Sequence, residues 1–300
     1  MAATGREWAL FFLCVVFWGS AYGMTRTAMD AGSTPALIAS ARLWIAAGFL
    51  FALLQWMRRQ GNAPGPTLGA SRKLALLGLV GGAFPFFLLA WAQNFIPSGL
   101  VGIIAALTPV MVAAFAWIVA PEDRLTPAKV IGVSLGFVGV AVLMAPDAQA
   151  PLGDRAVWGV MAAVTAAIAY AVNTLLVRVG PVIPPLEASA GWTFFGALWS
   201  TPLGAYDLMH NPGPSPLGWT MITALALGPT ALAGIAYFRL IESPGPTFAT
   251  QTNYVLPIWA VGLGAFLLGE RLNANAFWAL LLVASGLFIA QEGWRHWRRR

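Results

Sequence analysis

Charge is what this sequence has least of. Asp, Glu, Lys and Arg supply only 9% of its 300 residues, against about 25% in a soluble domain. No water-facing surface can be assembled from so few, which excludes soluble enzymes and soluble binding modules. Cysteine is almost as scarce: Cys14 stands alone inside an apolar run. That excludes a disulfide framework and a thiolate metal site, and leaves Cys14 as a small packing residue. The two histidines, His210 and His296, fall outside the apolar runs, and neither HExxH nor a phosphate-cradling GxxxxGK[ST] loop occurs. A membrane-embedded hydrolase needs an activated nucleophile or a metal-bound water, so the chain is not read as an enzyme and no cofactor is implied. Finally, no Asp or Glu lies near the centre of an apolar run. The usual buried proton carrier is therefore missing, and proton coupling would fall to Glu187, Glu242 or Glu270 near helix ends.

Apolar side chains, by contrast, make up 59% of the sequence, and the mean hydropathy is +0.74. A hydrocarbon layer about 30 Å thick takes roughly 20 apolar residues per helix. On that measure the sequence holds ten spans, approximately 7–27, 35–57, 74–95, 98–119, 128–145, 156–178, 186–205, 217–239, 246–268 and 274–293. The fold class is thus an all-α integral membrane protein. The first run, preceded by Arg6, resembles a signal peptide, but it continues through Trp18 and Tyr22 without a convincing small-residue cleavage site and reads as the first transmembrane helix. Turns follow from Gly-Ser-Thr-Pro at 32–35, the polar stretch 61–71, Ile-Pro-Ser-Gly at 96–99 and Ser-Pro-Gly-Pro at 243–246.

The net charge of +6 is spent on topology. Thirteen Lys and Arg residues fall on the side of the N-terminus, including the tail Arg295, Arg298, Arg299 and Arg300, against Arg26, Arg155 and Arg271 opposite. This bias places both termini in the cytoplasm of an inner membrane. Cationic loop ends fit anionic headgroups, so the bilayer and a small-molecule substrate are the expected partners, nucleic acid is not, and a homodimer stays open.

The chain is also written twice. Pro109 stands thirteen positions before Glu122 and Arg124 fifteen before Gly139; Pro257 repeats the first spacing to Glu270 and Arg271 the second to Gly286. At an offset of 149, Pro35, Ala39, Ser40 and Ala41 match Pro184, Ala188, Ser189 and Ala190. Five spans per copy is an odd number, so the second copy, 148–300, enters the membrane upside down relative to the first, 1–147. Inverted repeats place substrate near the midplane, where the halves meet.

These paired Pro-x12-Glu turns, the Phe-Trp-Gly-Ser segment at 17–20 and the five-plus-five layout resemble the drug/metabolite transporter superfamily, specifically its EamA-type exporters. The second turn, Leu-Gly-Glu-Arg-Leu at 268–272, is close to the family's form, whereas the first, Ala-Pro-Glu-Asp-Arg-Leu at 120–125, carries Pro121 and an additional Asp123. The resemblance implies export of small metabolites by alternating access, with amino-acid exporters, those for aromatic amino acids included, as a branch. A multidrug exporter of the same fold, a membrane-embedded enzyme and a receptor without flux are the alternatives.

Arg42 is the sharpest single position, about 12 Å into the second helix. Intramembrane arginine is costly and faces a cavity or a partner. Two readings stand: an anchor for a substrate carboxylate, or a structural residue that snorkels or binds carbonyls and Asp30. On the first helix Trp18, Tyr22 and Thr25 share a face, beside a close-packing face of Gly19 and Gly23; Tyr170, Asn173 and Thr174 repeat the aromatic-plus-polar pattern in the sixth, and Thr247, Gln251 and Tyr254 in the ninth, near Asn253. Singly, each reads as an interhelical hydrogen bond; together they favour a polar central cavity. Trp91 and Asn94 form an i, i+3 pair fit for a vestibule or, for Trp91, the aromatic belt. Pro85, Pro109, Pro229 and Pro257 sit near the centres of the third, fourth, eighth and ninth spans, where a kink serves as hinge or frees a carbonyl. Glu122 and Glu270 read as gates at opposite faces.

Overall fold

The computed structural model describes residues 3–63, 65–67, 69–96, 98–105, 107–108, 111–112, 126–148, 155–243, 245–253 and a few isolated positions between 255 and 289. Every regular element among them is helical. The helices are α1 (Gly5–Asp30), α2 (Pro35–Arg59), α3 (Ala70–Ala92), α4 (Ser98–Ala105), α5 (Pro127–Ala148), α6 (Ala156–Leu176), α7 (Pro185–His210), α8 (Pro216–Glu242) and α9 (Pro246–Thr250). Helices α1, α2, α3, α6 and α8 are long and apolar enough to cross a membrane. Their outward residues are apolar as well: Trp56, Val157, Met161 and Leu203 are each more than half exposed. A surface of that kind is stable only against lipid.

Local signals set the helix ends. Thr4 and Glu7 form a capping box at the start of α1, and Glu7 also accepts from the Ser243 hydroxyl just beyond α8. Thr34 caps α2, its Oγ1 accepting from Leu37 N at 3.2 Å, with Pro35 at the first helical position. Gly32 makes the α1–α2 turn at φ +93°, a conformation that favours glycine.

Three antiparallel pairings organise the bundle. Along α1 and α8, Cys14 Sγ donates to Ala233 O (3.6 Å), Trp18 Nε1 to Pro229 O (2.7 Å), and Ser215 N to Ala31 O (3.1 Å). Along α2 and α7, Trp44 Nε1 donates to Thr201 Oγ1 (3.0 Å) near one end, while Arg58 pairs with Glu187 (3.4 Å) at the other. Along α3 and α6, Lys73 Nζ donates to Val177 O (2.7 Å), Gly81 abuts Asn173, and Gly159 abuts Phe95 and Ile96. The first helix after residue 155 therefore packs on the third helix of the chain, and the first helix of the chain on the third one after residue 155.

Close approach depends on glycine where the pairs cross. A Cβ on Gly286 would lie 2.5 Å from Gly132 O and 2.8 Å from Gly136 N, so the glycines of α5 meet a helical residue near the C-terminus. Gly19 meets Trp259, whereas Gly23 faces open space. The small-residue face expected on α1 is thus used at one of its two positions.

Glu187, buried in the first turn of α7, ties the α2–α3 connection down. It accepts from Thr67 N (2.8 Å) and Thr67 Oγ1 (3.1 Å) besides pairing with Arg58. Replacing a buried acceptor leaves its donors unpaired, at about 1–3 kcal/mol. Glu187→Ala is expected to lower the thermal unfolding midpoint in detergent by several degrees, and an unchanged midpoint would show the strap to be idle.

Candidate functional site

The site begins with a defect in α8. Proline has no N–H, so Pro229 leaves the carbonyl of Leu225, four residues back, without its helical donor. The backbone responds with a π-helical stretch over Ala226–Leu232, and the hydroxyl of Thr230 donates to Leu225 O at 2.8 Å. That single proton commits the hydroxyl's direction and leaves its lone pairs facing away from the helix. Arg42 of α2 occupies them, donating from Nε at 3.0 Å and Nη2 at 2.9 Å. Its guanidinium lies over the ring of Phe86, 3.9 Å from the centroid.

Arg42 is 7% exposed, and it forms no ion pair with a carboxylate among the described residues. Asp30, one candidate partner, pairs instead with Arg26 at 3.0 Å. Among the described residues a hydroxyl and a ring are the partners of the guanidinium and no carboxylate balances its charge, which in a bilayer interior costs about 2.5–3.5 kcal/mol on insertion scales.

The guanidinium borders a cavity of about 140 Å³ bounded by α1, α2, α3, α6, α7 and α8, with Thr108, Asn253 and Leu256 completing its wall. Trp18, Tyr22, Arg42, Tyr170, Asn173 and Pro229 all line it, so residues singled out in four different spans converge on one space. Trp18 and Tyr237 meet edge to face at 4.9 Å. Tyr237 donates to Thr174 Oγ1 (2.9 Å), because the Thr174 hydroxyl already gives its proton to Tyr170 O (2.8 Å). The carbonyl of Pro229 is engaged by Trp18 rather than open to a ligand.

A second π-helical stretch, Leu79–Ala83, interrupts α3 just before Pro85. Pro85 itself is buried outside the cavity wall. Within the stretch, absence of a side chain at Gly81 admits the Asn173 amide, which a Cβ would meet at 2.3 Å, and Gly82 accommodates Trp192 in the same way at 2.6 Å. π-Bulges are frequent at functional sites because they turn one helical face without breaking the helix.

Other expected positions lie elsewhere. Trp91 packs on Phe95 (4.6 Å) in an apolar cluster, Asn94 is exposed, and Gln251 is buried outside the cavity wall. Tyr254, Pro109, Pro257, Glu122 and Glu270 fall outside the described residues. Phe86, Gln93, Thr108, Trp192 and Tyr237 line the cavity without having been singled out from the sequence. Gln93 was legible: Phe86, Leu89 or Ala90, and Gln93 follow the i, i+3/i+4, i+7 rule of a single helix face.

A helical bundle with an apolar outer surface, wrapped around an aromatic-walled cavity that carries a buried arginine and a few neutral polar groups, is the construction of a membrane transporter for small molecules. The chain belongs to the EamA-like transporter family, whose model matches residues 6–145 and again 157–290. It is 27% identical over 294 residues to the uncharacterized inner membrane transporter YedA of Escherichia coli, covering 95% of this chain and 90% of that one. Protein PecM of Dickeya dadantii is 24% identical, with 96% and 92% covered. A protein of Chlamydia trachomatis named as an S-adenosylmethionine/S-adenosylhomocysteine transporter is 27% identical, with 92% and 86% covered. The fold is also that of a solved crystal structure at 20% identity, with a TM-score of 0.78 over 96% of this chain and 99% of that one.

Proposed function

We propose that this chain exports small amphiphilic metabolites carrying a carboxylate, amino acids foremost, by alternating access. The observation that carries the reading is Arg42: a buried cation held by Thr230 and Phe86, without a carboxylate partner among the described residues, on the wall of the central cavity. A substrate carboxylate supplies the missing charge through forked, charge-assisted hydrogen bonds. Trp18, Tyr22 and Tyr170 offer ring faces to an ammonium or an apolar body, and Asn173 offers an amide that makes no other hydrogen bond to the described residues. S-adenosylmethionine is itself an amino-acid derivative, so the relative named for its transport supports this substrate class.

Transport follows from two inverted repeats, 1–147 and 148–300, rocking about the cavity. The antiparallel pairs α1–α8, α2–α7 and α3–α6 support that arrangement, since exchanging the two halves turns the α1–α8 pair into the α6–α3 pair and leaves α2–α7 paired with itself. Bending occurs at the π-helical stretches beside Pro85 and at Pro229, and both termini stand in the cytoplasm. The test is flux from proteoliposomes across an amino-acid panel with and without a pH gradient. Saturable flux of at least one amino acid, unchanged by the gradient, is expected; no flux of any carboxylate by well-folded protein would overturn the reading.

A further inference from the structure

Buried polar atoms without partners define a second end to the cavity. Gln93, at the C-terminus of α3, is 5% exposed and Thr108 1% exposed, and both line the cavity. Neither Gln93 Oε1 nor Thr108 Oγ1 has a hydrogen-bond partner among the described residues. Buried polar groups are left unpaired at a cost of stability, and their exceptions call for a reason. Here the reason differs from that at Arg42, because these groups are uncharged and lie elsewhere.

Gln93 follows Phe86, the residue under Arg42, by seven positions on α3, about 10 Å along the helix. Leu89 and Ala90 line the cavity between them. Helix α1 follows α3 in the same order along the cavity, Trp18 at the level of Phe86 and Tyr22 at that of Leu89, and repeats the sequence of chemistry. Trp18 bonds the carbonyl of Pro229 beside the Arg42–Thr230 pair, Tyr22 packs in the same apolar cluster as Leu89, and Thr25 follows. The cavity is therefore cationic at one level, apolar at the next and neutral-polar at the third.

We propose that Gln93 and Thr108 form a distal subsite for an uncharged hydrogen-bonding group, a hydroxyl, amide or ring N–H, carried on the far end of a substrate whose carboxylate is held by Arg42. This rests on the carboxylate reading above and sharpens it. An α-ammonium group lies beside its own carboxylate and cannot span the distance, so the distal partner belongs to the substrate's body. The amide and the hydroxyl each donate and accept, which suits a phenolic hydroxyl better than a bare ring edge.

The test compares ligands differing by that hydroxyl alone: tyrosine against phenylalanine, and 3-(4-hydroxyphenyl)propionate against 3-phenylpropionate, each in proteoliposomes. Wild-type protein is expected to favour the hydroxylated member of a transported pair by about tenfold in kcat/KM, as sites with buried polar groups do. Gln93→Met, matched in length but without the amide, is expected to bring the ratio to within about twofold. Thr108→Val provides a second reading should the first variant fold poorly. Equal transport of both members by the wild type, or a ratio that survives both substitutions, overturns the subsite alone. Absence of flux for all four compounds by folded protein overturns the subsite, and the carboxylate reading falls with it where the whole amino-acid panel is silent too.

Discussion

Arg42→Gln is expected to abolish carboxylate flux in proteoliposomes while leaving the protein at least as stable as before. The two signs come from one geometry. A substrate carboxylate on the guanidinium makes charge-assisted bonds worth about 1.5–3 kcal/mol each, so losing two reduces flux roughly a hundredfold or more. The empty site, however, holds a buried cation balanced only by a hydroxyl at 2.9–3.0 Å and a ring at 3.9 Å. A neutral amide relieves that strain and can still bond Thr230. A purely structural arginine behaves in the opposite way: its removal destabilises, and transport falls only with the folded fraction. Arg42→Lys keeps the charge but loses the fork, so an intermediate loss of about tenfold is expected. Thr230→Val removes the hydroxyl that aims the guanidinium and is expected to raise KM more than it lowers kcat. Normal flux by folded Arg42→Gln protein would remove the anchor.

The membrane class, and several of the side chains that line one cavity, were legible because they depend on quantities and spacings read along the chain. Nine percent charge admits few alternatives, and residues such as Trp18, Tyr22 and Thr25, or Tyr170 and Asn173, repeat with helical spacing, which survives ignorance of the packing. What could not be read is what happens between helices. Nothing in the string Leu-Gly-Pro-Thr at 227–230 states that the threonine will repair the carbonyl orphaned by the proline and thereby aim an arginine almost two hundred positions earlier. Arg42 left two readings open for the same reason: its partner is settled by α8 packing against α2. Trp91 and Asn94, read as a vestibule pair or, for Trp91, a belt residue, lie off the cavity wall. Polar and aromatic character made them attractive, yet they sit one helical step off the face that carries Phe86 and Gln93, and a helix presents a single face to the cavity.

The largest effect on folding is expected at a position with no chemistry at all. Gly78 of α3 lies against α7 so closely that a Cβ would sit 2.5 Å from Gly196 N, 2.7 Å from Trp192 O and 2.9 Å from Phe195 C. All three are backbone atoms, so no rotamer change can make room, and the helices must separate. Gly196 faces the same crossing, its Cβ position 3.0 Å from Gly78 O. Small residues at such crossings are what allow membrane helices to gain packing energy where water supplies no driving force. Gly78→Ala is therefore expected to destabilise by about 3 kcal/mol or more, at the upper end for overpacked sites. Separation would also draw Trp192 away from the cavity wall, so flux should fall together with stability. Gly48→Ala on the neighbouring α2 makes the same chemical change where nothing lies within 4 Å. There alanine's helix propensity acts unopposed and is expected to stabilise by up to about 1 kcal/mol. Thermal unfolding of the two variants in one detergent should thus move in opposite directions. A shared upward shift would mean that α3 and α7 do not cross at Gly78, and that the wall carrying Trp192 is held by something other than this contact.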